Sequence, residues 1–317
     1  MKNIVLITGL LRDEKTFMKS LEIYLNIRDL KLIDEIVFST DKELMKDNIN
    51  TPLGNVLNDN LRKYLISKNI KIIEIENLTT EEIKKIDPII ESRPRNKLRK
   101  NTLSGLSLWR PMYALKKSLE QIETNSYILK TRPDVIMSLS LVKKVFGEYK
   151  IKLANNELLE YKIWSSGFNE KELLYIMDFS FAGKREDLLK TAHMNGEFLN
   201  WGKKSPTGVN NFNTLWWIDI FYKKYPIIQK YYEKYVNDKS EIKTHDEDLY
   251  KESMKVYYKI INDFFIIDSG INEFFIKQSW GDLHCFNSND GINIPKTGRT
   301  EFKNSNFISN YLKNNKY

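Results

Sequence analysis

Alternation between two hydrophobic periods at the start of the chain constrains its fold more than any other feature. Ile4-Val5-Leu6-Ile7 is an unbroken apolar run ending in Thr8-Gly9, the form of a strand buried on both faces. Asp13 then offers an N-cap, and Phe17, Leu21, Tyr24 and Leu25 recur at spacings of three and four, which places them on one helical face. Glu35 to Ser39 reads as a second strand, Leu57, Leu61, Tyr64 and Leu65 as a second helical face, and Ile70 to Ile75 as a third strand. A β-α-β-α-β order predicts a parallel sheet with right-handed crossovers, whose ligands sit outside the carboxyl ends of the strands. The polar residues following each strand are therefore the first candidates for binding: Thr8, Gly9 and Arg12 after the first, Ser39, Thr40 and Asp41 after the second.

Farther along, Leu103, Leu106, Met112, Leu115 and Leu119 continue a helical pattern that Pro111 either kinks or restarts. Tyr127 to Lys130 is a further strand. Beyond residue 150 the alternation weakens: Leu174 to Phe181 reads as a strand, Glu186 to His193 as a short helix, and Thr214 to Tyr235 as a helical region interrupted by Pro226. Residues 287–317, rich in Asn, Ser, Lys and Gly, read as an irregular tail. The expected organisation is an α/β half over 1–150, a helix-rich second half of the same domain over 151–286, and that tail.

Composition prunes the functional classes. With 41% apolar and 29% charged residues among 317, the chain has material for a core and is not of the disordered type. Cys285 is the only cysteine, so an intramolecular disulfide and a cysteine-rich zinc site are both excluded, and a reducing compartment is expected. No apolar run reaches the roughly 18 to 20 residues of a bilayer span; the best, Phe264 to Ile276, is broken by Asp268, Asn272 and Glu273. A soluble, cytoplasmic protein is the expectation. A net charge of +8 suits acidic substrates, an anionic membrane face or nucleic acid. There is no G-x-G-x-x-G after the first strand, no Walker A loop, no G-x-S-x-G and no H-E-x-x-H.

The sharpest local signal is Lys130-Thr131-Arg132-Pro133-Asp134, where a strand ends in two cations and a carboxylate. A hard divalent ion takes oxygen ligands and substrate phosphates, while arginine offers phosphate a planar fork. The pattern therefore suits a diphosphate held with a metal. It also suits a plain Arg132–Asp134 ion pair or a cap on the following helix, for which Ser138 and Ser140 are equally placed. The basic run Arg93 to Lys100 reads as a solvated face, a diphosphate loop or a nucleic-acid contact. Trp164, beside Ser165-Ser166-Gly167, and Trp201, beside Gly202, are candidates for an acceptor loop; one ring of Trp216-Trp217 is expected in the core.

Residues 95–137, from Arg95-Asn96 through Gly105-Leu106 to Lys130-Thr131-Arg132-Pro133-Asp134, resemble the central block of the WavE lipopolysaccharide-synthesis family of glycosyltransferases. Met177-Asp178-Phe179-Ser180-Phe181-Ala182-Gly183 running into Asp187-Leu188 resembles a second block, and Glu247-Asp248-Leu249-Tyr250 a third. The first strand departs from the family's Gln-Gly-Pro ending with Thr8-Gly9-Leu10. The resemblance implies a GT-A-like α/β fold: a Rossmann-like mixed sheet flanked by helices, with a helix-rich C-terminal acceptor region. It implies a nucleotide-sugar donor contacted by Thr8, Gly9, Arg12, Asp41, Arg95, Asn96, Lys130 and Arg132. A divalent metal, Mn²⁺ or Mg²⁺, would lie at Asp134 with His245 assisting, and Glu247 or Asp178 would act as base. The implied acceptor is a glycan or lipid-linked glycan of lipopolysaccharide or capsule, reached at the cytoplasmic face of the inner membrane with peripheral association. The rival is a nucleic-acid-binding or RNA-processing protein using Arg93 to Lys100, but no RNP motif or zinc finger accompanies that run, so no nucleic acid is expected.

Overall fold

The structure is a computed structural model, and it describes residues 1–11, 13–42, 57–76, 106–154, 156–168, 173–174, 176, 179–192, 217, 220–221, 223–237, 247–268, 274–276 and 283–284. The first part runs β1 (Lys2–Thr8), α1 (Glu14–Asp29), β2 (Glu35–Asp41), α2 (Asp59–Ser67), β3 (Lys71–Ile75), α3 (Leu106–Glu120) and β4 (Ser126–Thr131). The predicted Asp13 cap is present, its carboxylate accepting from the Thr16 N–H at 3.0 Å. Phe17, Leu21 and Tyr24 are buried beneath it, while Leu25 is only half-buried. The α3 helix is continuous through Pro111. Proline removes one backbone bond there, and burial of Met112, Leu115 and Leu119 on the sheet offsets the loss.

The second part runs β5 (Val135–Met137), α4 (Leu139–Phe146), β6 (Ile163–Ser165), β7 (Phe181–Lys184), α5 (Arg185–Thr191), α6 (Pro226–Asn237), α7 (Glu247–Phe264), β8 (Phe265–Ile267), β9 (Phe274–Ile276) and β10 (Leu283–His284). The main sheet has seven strands in the order β3-β2-β1-β4-β7-β6-β8, and β10-β9-β5 form a smaller one. In the main sheet β1 pairs in parallel with β2 and β4, β2 in parallel with β3, and β6 in parallel with β8; β7 alone runs antiparallel to its neighbours β4 and β6. Strands from both sides of residue 150 therefore share one sheet. Alternation of side chains divides the core between its two faces: Ile4, Leu6, Val37, Ile128 and Phe181 pack with α3 and α7, and Val5, Ile7, Phe38, Leu129 and Trp164 pack with α1, α2 and α4. A mixed sheet flanked by helices is the α/β arrangement expected.

Two expectations need correction. Leu174 to Phe181 is not one strand: Leu174 has a left-handed φ of 56°, Ile176 makes only an isolated bridge to Phe168, and β7 starts at Phe181. Leu173, Leu174 and Ile176 are apolar because they fill the core rather than because they line a pleat. The helical region does break at Pro226: Trp217, Ile220 and Phe221 are helical, residues 223–225 leave the helix, and Pro226 starts α6, because its missing N–H and fixed φ suit the first helical position. Trp164 is fully buried in β6 and donates its indole N–H to the Asp268 carbonyl at 3.1 Å, which removes it from any acceptor loop. Trp217 is the buried ring expected of Trp216-Trp217. Trp201, Cys285 and residues 287–317 lie outside the described residues. Among the described residues no helix is long and apolar enough to cross a membrane.

Candidate functional site

Strand direction collects the polar candidates on one edge. The carboxyl ends of β1, β2, β3, β4, β6 and β8 lie together there with the amino end of β7. Thr8 closes β1 with its hydroxyl buried and without a hydrogen-bond partner, a costly arrangement for a polar atom. Gly9 follows at a φ of 132°, a conformation that favours glycine. A Cβ built on it would lie 3.6 Å from Pro133 Cδ, so the loop after β1 rests against the loop after β4. The structure thus joins Thr8-Gly9 to Arg132-Pro133-Asp134, residues more than a hundred positions apart. Asp41, half-buried, ends β2 one strand away, and the next residue, Lys42, pairs with Glu76 at 2.7 Å.

The end of β4 carries the densest chemistry. Lys130 is buried, with its ammonium 4.9 Å from the centre of the Phe181 ring. The Thr131 and Ser180 hydroxyls are 2.9 Å apart, and the Arg132 guanidinium lies 5.2 Å from the Phe179 ring centre. The β4–β7 register pairs Lys130 with Phe181; continued by two residues it pairs Thr131 with Ser180 and Arg132 with Phe179. Each cation therefore faces a phenylalanine and the hydroxyls face each other. Matching i, i+2 spacing in Lys130-Thr131-Arg132 and Phe179-Ser180-Phe181 is the sequence signal for this ladder, and it becomes readable only once the strands are known to be antiparallel.

Arg132 also grips Asp134, donating Nε–H to Oδ1 at 2.9 Å and an Nη2–H to Oδ2 at 2.5 Å. The Asp134 side chain is 2% exposed and that of Arg132 19%. Of the alternatives for this motif the ion pair is present, and the helix cap falls to Ser138, whose hydroxyl accepts from the Leu141 N–H at 3.0 Å. Among the described residues no three His, Cys, Asp or Glu side chains gather to hold a metal. With both Asp134 oxygens on Arg132, the described groups do not form a cation site. Arg12, Arg95, Asn96, Asp178 and His245 lie outside the described residues. Glu247 opens α7, where an acidic residue suits the positive end of the helix.

Ser166, just past β6 on the same edge, was not among the expected site residues. Its hydroxyl is buried and without a hydrogen-bond partner, and its N–H donates to the Ser180 carbonyl at 3.4 Å.

No family model matches the chain, and no curated protein matches it. Among solved structures it is similar to a glycosyltransferase involved in glycosylation of the major capsid of PBCV-1, at 12% identity and a TM-score of 0.35, over 81% of this chain and 100% of that one. It is similar to the galactosyltransferase LgtC in complex with donor and acceptor sugar analogs, at 11% identity and a TM-score of 0.37, over 80% and 96%. A third such structure is the inositol-1-phosphate CTP transferase from T. maritima, at 12% identity and a TM-score of 0.32, over 69% and 80%.

Proposed function

We propose that the chain is a nucleotide-sugar-dependent glycosyltransferase acting on a bacterial surface glycan, lipopolysaccharide or capsule. One observation carries the reading: the carboxyl ends of the parallel strands β1 and β4 bring Thr8 and Gly9 against the loop that bears Arg132, beside Lys130. That edge is where open α/β sheets bind nucleotides, and two cations at the end of its central strand suit a diphosphate. The resemblance of the Lys130 to Asp134 block to the WavE family supports the choice of transferase and acceptor. A cytoplasmic enzyme at the inner-membrane face would meet both donor and lipid-linked acceptor.

In this reading the acceptor hydroxyl attacks the anomeric carbon as the bond to the nucleoside diphosphate breaks. Arg132 neutralises charge on the departing diphosphate, the kind of stabilisation that dominates such reactions. Asp41 suits a ribose or base contact. Glu247, preferred over Asp178, accepts the proton of the acceptor hydroxyl. A screen of UDP-, GDP- and CMP-sugars for donor hydrolysis, with Mn²⁺, with Mg²⁺ and with EDTA, tests the proposal and reads metal dependence at the same time. Release of nucleotide from one donor is the expected result. No release from any donor, together with salt-dependent binding of random oligonucleotides, would replace the transferase with the nucleic-acid reading.

A further inference from the structure

The geometry points to Asp134 as a positioning residue: it locks the Arg132 guanidinium, with Phe179 behind it, as a pre-oriented anion-binding group, and it does not ligate a metal. This rests on the transferase reading of the same edge. Three observations converge on it. First, the two Arg132–Asp134 bonds run side by side to separate oxygens, which fixes the plane of the guanidinium. Second, the Phe179 ring, 5.2 Å away, backs that plane. It comes from the segment entering β7, opposite Arg132 in the continued ladder, and the Thr131–Ser180 contact at 2.9 Å ties the intervening rung. The side chain is thus held from its own loop and from the neighbouring strand.

Third, Asp134 is 2% exposed. A buried carboxylate is costly unless a cation compensates it, and here Arg132 is that cation. A magnesium-type ion keeps several waters and asks for near-octahedral space, which a carboxylate enclosed and doubly bonded in this way does not offer. Arginine otherwise gives up considerable rotamer freedom on binding an anion. Held in advance, it has already lost that freedom on folding, so a diphosphate meets a fixed fork. Any divalent ion that assists the reaction would then be held by groups other than Asp134.

Calorimetric titration of the full chain with UDP, GDP and ADP, in EDTA and again in Mn²⁺, tests the assignment. The wild type should bind one of these nucleotides in EDTA. Arg132→Lys should weaken that binding about tenfold or more, because the charge survives and the fork does not. Asp134→Asn should weaken it several-fold in EDTA, and Phe179→Leu less, with melting temperatures reported alongside. The double mutant Arg132→Ala/Asp134→Asn should bind no worse than Arg132→Ala alone, since a residue acting only through Arg132 has nothing left to position. If Asp134→Asn fails to fold, Phe179→Leu carries the test in its place, because it keeps both charges and loosens only the fork. Unchanged binding in EDTA by Arg132→Lys, or by Phe179→Leu in that event, overturns the assignment. So does an Asp134→Asn variant that loses only a Mn²⁺-dependent gain. If the wild type binds none of the three nucleotides under either condition, the transferase reading falls with it.

Discussion

The two sides of the main sheet are built by different rules. On one side β3, β2, β1 and β4 are parallel, and β1 and β2 each run seven residues. On the other, β6 and β8 have three residues each and β7 has four. Long parallel strands with helical crossovers set their own register. The short strands are held by aromatic packing from residues distant in the chain instead: the Trp217 ring meets Phe181 at 5.8 Å and Phe265 at 5.0 Å between centres. In the proposed function the regular side would offer its edge to the donor, and the irregular side brings diverse groups to that edge. The β4–β7 seam, where the Arg132 clasp lies, joins them.

If this division of labour holds, chemistry at the acceptor should be separable from donor binding. Glu247→Gln should cut transfer by about two to four orders of magnitude, the usual range for a lost general base, with donor affinity near wild type. Separate measurement of nucleotide binding and transfer checks this. Normal transfer by Glu247→Gln with loss in Asp178→Asn would assign the proton to Asp178, and a collapse of donor binding would place Glu247 on the donor side of the division.

Legibility in the sequence follows the same divide. The Asp13 cap, the faces of α1 and α2 and the order of the first strands were readable because each element carries its own periodicity or capping residue. Leu174 was not, because an apolar cluster that turns left-handed looks the same in one dimension as a strand. A short motif supplied Lys130, Arg132 and Asp134 as candidates, and Thr8, Gly9 and Asp41 came from a topological rule, that polar residues after parallel strands face ligand. Phe179 and Ser166 escaped it because they sit around strands whose direction the sequence does not reveal. The Arg132–Asp134 pair was one of several readings of a short motif, and only geometry distinguishes an ion pair from a helix cap.

Because one sheet carries both sides, damage to the irregular side should unfold the whole. Trp164→Ala removes a fully buried indole and its bond to the Asp268 carbonyl, a loss of about 3–5 kcal/mol by the cost of large-to-small core changes. Urea unfolding followed by fluorescence and circular dichroism should show a single transition at a lower midpoint. Two separated transitions, with only the second half lost early, would mean that the halves fold independently and would break the comparison at its base.

The smallest expected effect has the opposite sign and lies on the regular side. The hydroxyl of Tyr127, on β4, is buried without a hydrogen-bond partner, and burial alone pushes its pKa above the ordinary tyrosine value. A polar atom left without a bond in the core costs free energy that a ring lacking the atom does not, so Tyr127→Phe should raise stability by about 1 kcal/mol at neutral pH. The pH dependence follows from the direction of the shift. Above about pH 10 the unfolded chain releases the Tyr127 proton while the folded chain retains it, so the wild type loses stability as pH rises and Tyr127→Phe loses less. Urea midpoints at pH 7 and pH 10.5 measure both parts. A variant that is less stable at pH 7 would mean that the hydroxyl is bonded in solution, and the parallel side would then hold a polar contact at Tyr127.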